Sequence, residues 1–180
     1  MLYISFSSFQ TGNSGLDDEF KYTGVRKCVK CHETAKTGNQ YDIWKDSKHS
    51  LAWYSLLTPK ADNIAKDMGF NTKASQTPQC IKCHVLGKDI KYNELETTFN
   101  KEDGVQCETC HGPGSRYSFL PIMKDKELAA EFGLILHKEK EQFCISCHNS
   151  DSPTYNSALS KFDYDRFWEK IKHPIPSREK

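Results

Sequence analysis

Apolar residues fall on a helical period in three stretches, and no long strand pattern appears. In NQYDIWKDSKHSLAWYSLL, residues 39–57, His49, Ala52, Trp53, Leu56 and Leu57 share one face at helical spacing, which sets an imidazole on an apolar stripe. KELAAEFGLILHKEKEQFC, residues 126–144, predicts a second helix with His137 near its middle and a less orderly apolar face. YDRFWEKIKHPIP predicts a third, ending at His173 because Pro174 disfavours a helical conformation in the residue before it. Turn-rich runs lie between: FNTKASQTPQ, LGKDIKYNELETTFNKEDG and NSDSPTYNS, with DIKYNELETTF allowing a short hairpin strand or two. The pattern predicts a mostly α fold, with short helices, irregular loops and little β.

Four near-identical runs interrupt this pattern: CVKCH at Cys28, Cys31 and His32; CIKCH at Cys80, Cys83 and His84; CETCH at Cys107, Cys110 and His111; CISCH at Cys144, Cys147 and His148. All eight cysteines of the chain lie in them. A Cys-x-x-Cys-His run is the attachment signature of c-type haem. Two thiols one helical turn apart add to the two vinyl groups of one porphyrin, and the following imidazole becomes the proximal iron ligand. Zinc knuckles and iron–sulfur sites need no histidine directly after each second cysteine, and disulfide frameworks need no fixed spacing of two. Fourfold repetition at one spacing therefore favours four covalently attached haem c groups and makes the fold a wrapping around a four-haem array.

Composition supports a cofactor-dependent core. Apolar residues make up 37% of the 180, counting tyrosine and not glycine, against the usual range of about 45–50%. The porphyrins are expected to supply much of the buried apolar surface, and the apoprotein to be largely unfolded. The formal net charge of +1 argues against a polybasic nucleic-acid surface. Each ferric bis-imidazole haem adds about −1, so the loaded protein carries about −3 oxidised and about −7 after four-electron reduction, which suits a partner with a basic patch. Covalent haem attachment implies export, to a periplasmic or extracellular site. MLYISFSSFQTGNSG has no basic leader region and too short an apolar run for a membrane span. Residues 1–22 are expected to be a mobile arm or signal remnant, and 23–180 a single tetrahaem domain.

The histidines outside the motifs, His49, His137 and His173, are the candidates for distal iron ligands. Each has a plainer alternative: a hydrogen-bonded core residue for His49, a solvent-facing one for His137, a partner for the last helical carbonyls for His173. Four irons have eight axial positions and the chain has seven histidines. One position is left empty, or filled by Met68, Met123 or another group.

WKDSKHSLA around His49, CIKCHVLG, GVQCETCHGPG and the aromatic helix ending at His173 together resemble the tetrahaem cytochrome c-554 family, over roughly residues 24–175. The resemblance implies three bis-histidine haems and one five-coordinate haem, the latter held by His84. It further implies that His49 caps the haem on His111 and His173 the haem on His148. For the haem on His32 the family supplies a histidine shortly after the Gly-Pro-Gly turn. Here SRYSFLPIMKD has none, and His137, 23 residues after Gly114, or Met123 is left for the role.

The expected function is electron relay between redox partner proteins outside the inner membrane, with no substrate transformed. The alternative is a small haem reductase acting on nitric oxide, nitrite or hydroxylamine at the five-coordinate haem. Proton donors and an anion-holding group for such chemistry are not identifiable in the sequence.

Overall fold

The computed structural model describes residues 20–138, 140–153, 155 and 163–173. Their regular structure is ten short α-helices joined by turns and 3-10 segments. The first motif lies on α1 (Val25–His32), followed by α2 (Gln40–Lys45), α3 (Ala52–Ser55) and α4 (Pro59–Asp67). The second motif lies on α5 (Pro78–His84) and the third on α6 (Cys107–His111). Then come α7 (Leu120–Met123), α8 (Lys126–Glu131), α9 (Lys140–Cys144), which enters the fourth motif, and α10 (Tyr164–Ile171). The longest, α4, has nine residues and begins with Pro59 after Thr58, whose hydroxyl accepts from the Ala61 N–H. Helices this short are marginal alone and depend on tertiary contacts.

The predicted helix over 39–57 is two helices. Between them the Ser50 hydroxyl donates to the carbonyls of Lys45 and Ser47, both at 2.8 Å, and the Ser47 hydroxyl accepts from the His49 N–H at 3.2 Å. These side chains compete with the helical ladder and break it over residues 46–51. Trp53 and Leu56 still face the core, whereas Leu57 is 54% exposed. The predicted helix over 126–144 also divides, because Gly133 turns the chain in a left-handed conformation (φ 103°). His137 therefore lies on an extended connection between α8 and α9 rather than mid-helix. The third helix ends at Ile171, with Lys172 extended and His173 just beyond it.

The segment expected to form a hairpin holds a 3-10 turn at Tyr92–Glu94. The β structure among the described residues is one isolated parallel bridge, Tyr22 to Leu95, in which the Tyr22 N–H donates to Glu94 and the Glu96 N–H to Tyr22. The arm expected over 1–22 lies outside the described residues as far as 19. Its last residues are held in the fold: Tyr22 is buried, and the Lys21 N–H donates to the Ser115 hydroxyl at 2.9 Å.

The core is small. Tyr22, Trp53, Leu56, Ala65, Val85 and Leu86 form one buried cluster, with Phe70, Ile81, Leu95 and Phe99 packed on its edge. Meanwhile Leu51, Tyr54, Phe119, Leu120 and Ile135 are exposed in this chain alone. Burying one large apolar side chain is worth roughly 1.5–3 kcal/mol, so a core of this size contributes only modestly to stability.

The turn after the third motif is fixed by close approach. Gly112 has φ 78°, and a Cβ there would lie 2.5 Å from the Gly133 carbonyl oxygen and 2.8 Å from Ile135 Cγ1. We expect Gly112→Ala to destabilise the haem-loaded protein by about 3 kcal/mol or more, from left-handed strain plus the clash. The urea midpoint measures it, and an unchanged midpoint would mean that the strap over Gly112 does not form.

Candidate haem sites

His32, His84 and His111 each end a helix, and His148 follows α9 by four residues; neighbouring groups hold two of these rings. The Nδ1 of His84 pairs with the Ala52 carbonyl at 2.8 Å and the Ser55 hydroxyl at 3.1 Å. The Nδ1 of His32 pairs with Gln40 Oε1 at 3.2 Å. An imidazole whose Nδ1–H is given to an oxygen is fixed in the tautomer that presents Nε2 to a metal. Gln40 and Ser55 went unnoticed in the sequence, because no local pattern marks a residue 8 or 29 positions from its histidine as a partner.

Two further motif histidines face distant ones. The His49 and His148 rings lie 6.1 Å apart between centroids, tilted by 48°, and the His111 and His173 rings 5.8 Å apart, tilted by 42°. Two imidazoles sharing one metal through bonds of ~2 Å have ring centres about 6 Å apart. Both pairs fit one iron between them. Burial pushes the His111 imidazole down to about 4, with His173 beside it adding to the effect, and burial likewise lowers His49, His148 and His173. The rings are thus kept neutral, the form a metal requires. Among the described residues no group of three or more His, Cys, Asp and Glu side chains converges on one point, as a zinc knuckle needs.

The model of the family described as cytochrome c554 and c-prime matches residues 14–112, just over half of the chain and three of its four motifs. The chain belongs to that family. It is 32% identical over 111 residues to cytochrome c-554 of Nitrosomonas europaea, covering 59% of this chain and 45% of that one. It is 23% identical over 118 residues to the multihaem cytochrome MtrA of Shewanella baltica, covering 57% of this chain and 33% of that one. The alignments thus span less than half the length of either relative. No solved structure matches. As a member of the c554 family, the protein carries covalently bound c-type haems.

The rings that face each other differ from the pairs the resemblance implies: His49 stands opposite His148 and His173 opposite His111. The packing explains it. His84 ties α5 to the Ala52 carbonyl of α3, and the Cys147 thiol contacts Cys83 on α5. The second motif therefore bridges α3 and the fourth motif, which brings His49 to His148. Although it lies near enough to His111 to add to the lowering of that imidazole, His137 forms no such ring pair. Its Nε2 pairs with the Cys110 carbonyl at 2.5 Å, and its ring packs on Phe143 with centroids 4.3 Å apart. Met68 ends α4, 46% exposed, and Met123 ends α7.

The feature sequence reasoning missed most completely is inside the third motif. Glu108 is 1% exposed, and its carboxylate accepts from the Thr23 N–H (2.8 and 3.0 Å), the Gly24 N–H (2.6 Å) and the Gly114 N–H (2.6 Å). Gln106 continues the array, its Oε1 accepting from the Val25 N–H at 2.8 Å. Together they satisfy the amides at the N-terminus of α1, which otherwise have no intrahelical acceptor. Burial pushes the Glu108 carboxyl up, and the amides of Thr23, Gly24 and Gly114 oppose that. A signal was present: the first variable position is Val29, Ile81 and Ile145 in the other motifs and glutamate only here.

The attachment thiols of different motifs adjoin. Cys28 and Cys107 are hydrogen-bonded to each other, which with burial raises the Cys28 thiol far above its usual range. Burial, with Cys147 alongside, pushes Cys83 up to about 11, and burial, with Cys144 nearby, pushes Cys110 up to about 12. Motifs 1 and 3, 2 and 4, and 3 and 4 thus present their thiols to one another.

Replacing Glu108 with glutamine sets an NH2 group against backbone donors that it cannot serve. We expect Glu108→Gln to cost about 2–5 kcal/mol in the haem-loaded protein, by denaturant unfolding. A loss under about 0.5 kcal/mol would remove Glu108 from this role.

Proposed function

We propose that this chain is a tetrahaem electron-transfer cytochrome with one haem per motif. Thioether bonds from Cys28 and Cys31, Cys80 and Cys83, Cys107 and Cys110, and Cys144 and Cys147 hold the groups, with His32, His84, His111 and His148 as proximal ligands. His49 and His173 complete the coordination opposite His148 and His111. When bound, haem supplies a one-electron ferric–ferrous couple. The observation that carries the reading is the pair of facing imidazole couples. Saturated irons exchange electrons but bind no substrate, and neutral, firmly held imidazoles keep coordination unchanged through the cycle. The adjoining thiols support a close array, through which electrons pass from one motif to the next.

Donor and acceptor are redox proteins outside the inner membrane, in the periplasm or beyond it, and an acidic loaded protein suits partners with basic patches. No helix among the described residues is long and apolar enough to cross a membrane. The expected single domain over 23–180 takes in residues 20–22 as well, which the core packing of Tyr22 supports. The haem on His84 has no histidine opposite and is the five-coordinate one. Reductase turnover there needs proton donors beside the iron, on the face opposite His84.

Mass spectrometry of the mature protein is expected to show four added haem masses, and a pyridine haemochrome assay a c-type spectrum. The same preparation is expected to exchange electrons with soluble redox dyes in milliseconds while showing no appreciable turnover of nitric oxide, nitrite or hydroxylamine. Enzyme-like turnover would move the assignment to the reductase. We also expect His49→Gly to convert one low-spin ferric haem to high-spin, and His49→Met to keep six-coordination with a raised potential, by spectropotentiometry. Unchanged spectra in both variants would return His49 to a core role.

A further inference from the structure

We propose that the buried carboxylate of Glu108 sets redox potentials: its fixed negative charge holds the haems on His32 and His111 at lower potentials than those sites would otherwise have. The inference rests on the reading that each motif holds a haem. It goes beyond the packing role of Glu108, because it concerns the charge and not the shape of the side chain.

The hydrogen bonds of Glu108 are those of an ionised group. Its Oε1 accepts from the N–H groups of Thr23 at 2.8 Å and Gly114 at 2.6 Å, and its Oε2 from those of Thr23 at 3.0 Å and Gly24 at 2.6 Å. The Thr23 hydroxyl donates to Oε1 at 3.3 Å. A protonated carboxyl would thrust an O–H among donors, whereas an ionised one accepts from them all. Burial pushes this carboxyl up, and the amides of Thr23, Gly24 and Gly114 with the Thr23 hydroxyl oppose that.

Nothing cationic cancels the charge. Among the described residues, no lysine, arginine or histidine forms an ion pair with Glu108. Water is shut out as well: Glu108 is 1% exposed and Gln106 and Tyr117 beside it are buried. Gly114 closes the remaining side, where a Cβ would lie 2.9 Å from Oε1. A unit charge in such a setting is weakly screened and acts on its neighbours far more strongly than one in water.

Two haem attachment points border this charge. Cys107 is the adjacent residue, and the Cys28 thiol is hydrogen-bonded to Cys107. That hydrogen bond and burial raise the Cys28 thiol, and the charge of Glu108 adds to the effect. With both sulfurs as thioethers, the porphyrins of motifs 1 and 3 are joined to the protein beside the carboxylate. Reduction takes one positive charge from an iron centre, so a fixed negative neighbour favours the ferric form and lowers the potential. The corresponding positions in the other motifs, Val29, Ile81 and Ile145, carry no charge.

The test begins with four-haem protein verified by haemochrome, because fewer than four haems would overturn the reading beneath the proposal rather than the proposal itself. Redox titration followed through the haem methyl resonances then gives the potential of each haem. Glu108→Gln is expected to raise the potentials of the haems on His32 and His111 more than those of the other two. Glu108→Asp, which keeps the charge, is expected to hold both near their native values even where stability is lost. A packing role alone gives the opposite sign, since loosening that admits water favours the ferric iron and lowers the potential. No rise in Glu108→Gln, an equal rise at all four haems, or the same rise in Glu108→Asp would overturn the proposal. Should Glu108→Gln fail to fold, the unaltered protein still tests the charge. With isotope-labelled glutamate, its infrared difference spectrum between oxidised and reduced states is expected to show a label-sensitive ionised carboxylate at neutral pH. A label-sensitive protonated carboxyl, or no labelled signal, would overturn the proposal.

Discussion

A single buried carboxylate sets the relation between two haem motifs that lie some eighty residues apart in sequence. Glu108 takes the amides of Thr23, Gly24 and Gly114, so it ties the start of α1, the third motif and the turn after it at one point. A carboxylate sealed from water is tolerated only when donors replace its hydration, and here the backbone supplies them. Gln106 extends the tie to Val25 and, through its Nε2, to the Asn100 carbonyl. The rest of the arrangement follows from that register: Cys28 meets Cys107, the bridge of Tyr22 to Leu95 forms alongside, and the strap over Gly112 covers the opposite end of α6.

A second constraint is the shortage of protein core. Short helices and one modest apolar cluster cannot alone offset the chain entropy of this many ordered residues, and Leu51, Tyr54, Phe119 and Ile135 are exposed among the described residues. Covalent haem resolves both problems, because the thioethers fix the porphyrin in place and the ring supplies apolar area. Folding and cofactor attachment are then one process. Under the proposed reading, a protein that folds around its porphyrins would bring its redox centres close together as a condition of being folded.

How much was legible in the sequence depended on whether the signal was local. The motifs were readable because attachment chemistry imposes a spacing on adjacent residues, and the mostly helical class was readable from periodicity. His49 and His173 stood out, the one on an apolar stripe and the other before a proline. What failed was non-local. Serine side chains broke the helix around His49, Gly133 broke the helix of His137, and neither periodicity nor family likeness revealed that His49 faces His148. Glu108 was overlooked although its position in the motif is apolar in the other three, since a lone glutamate gives no indication of its donors until residues 23, 24 and 114 are brought to it. His137 was expected among the iron ligands, and its contact with the end of α6 depends on a strap invisible in sequence.

The crystal structure of the mature haem-loaded protein, with the irons located by their anomalous scattering, tests the central claim most directly. The account predicts four irons, one bound by His49 and His148 and another by His111 and His173. An iron bound by His49 together with His111, or by His173 together with His148, would contradict it.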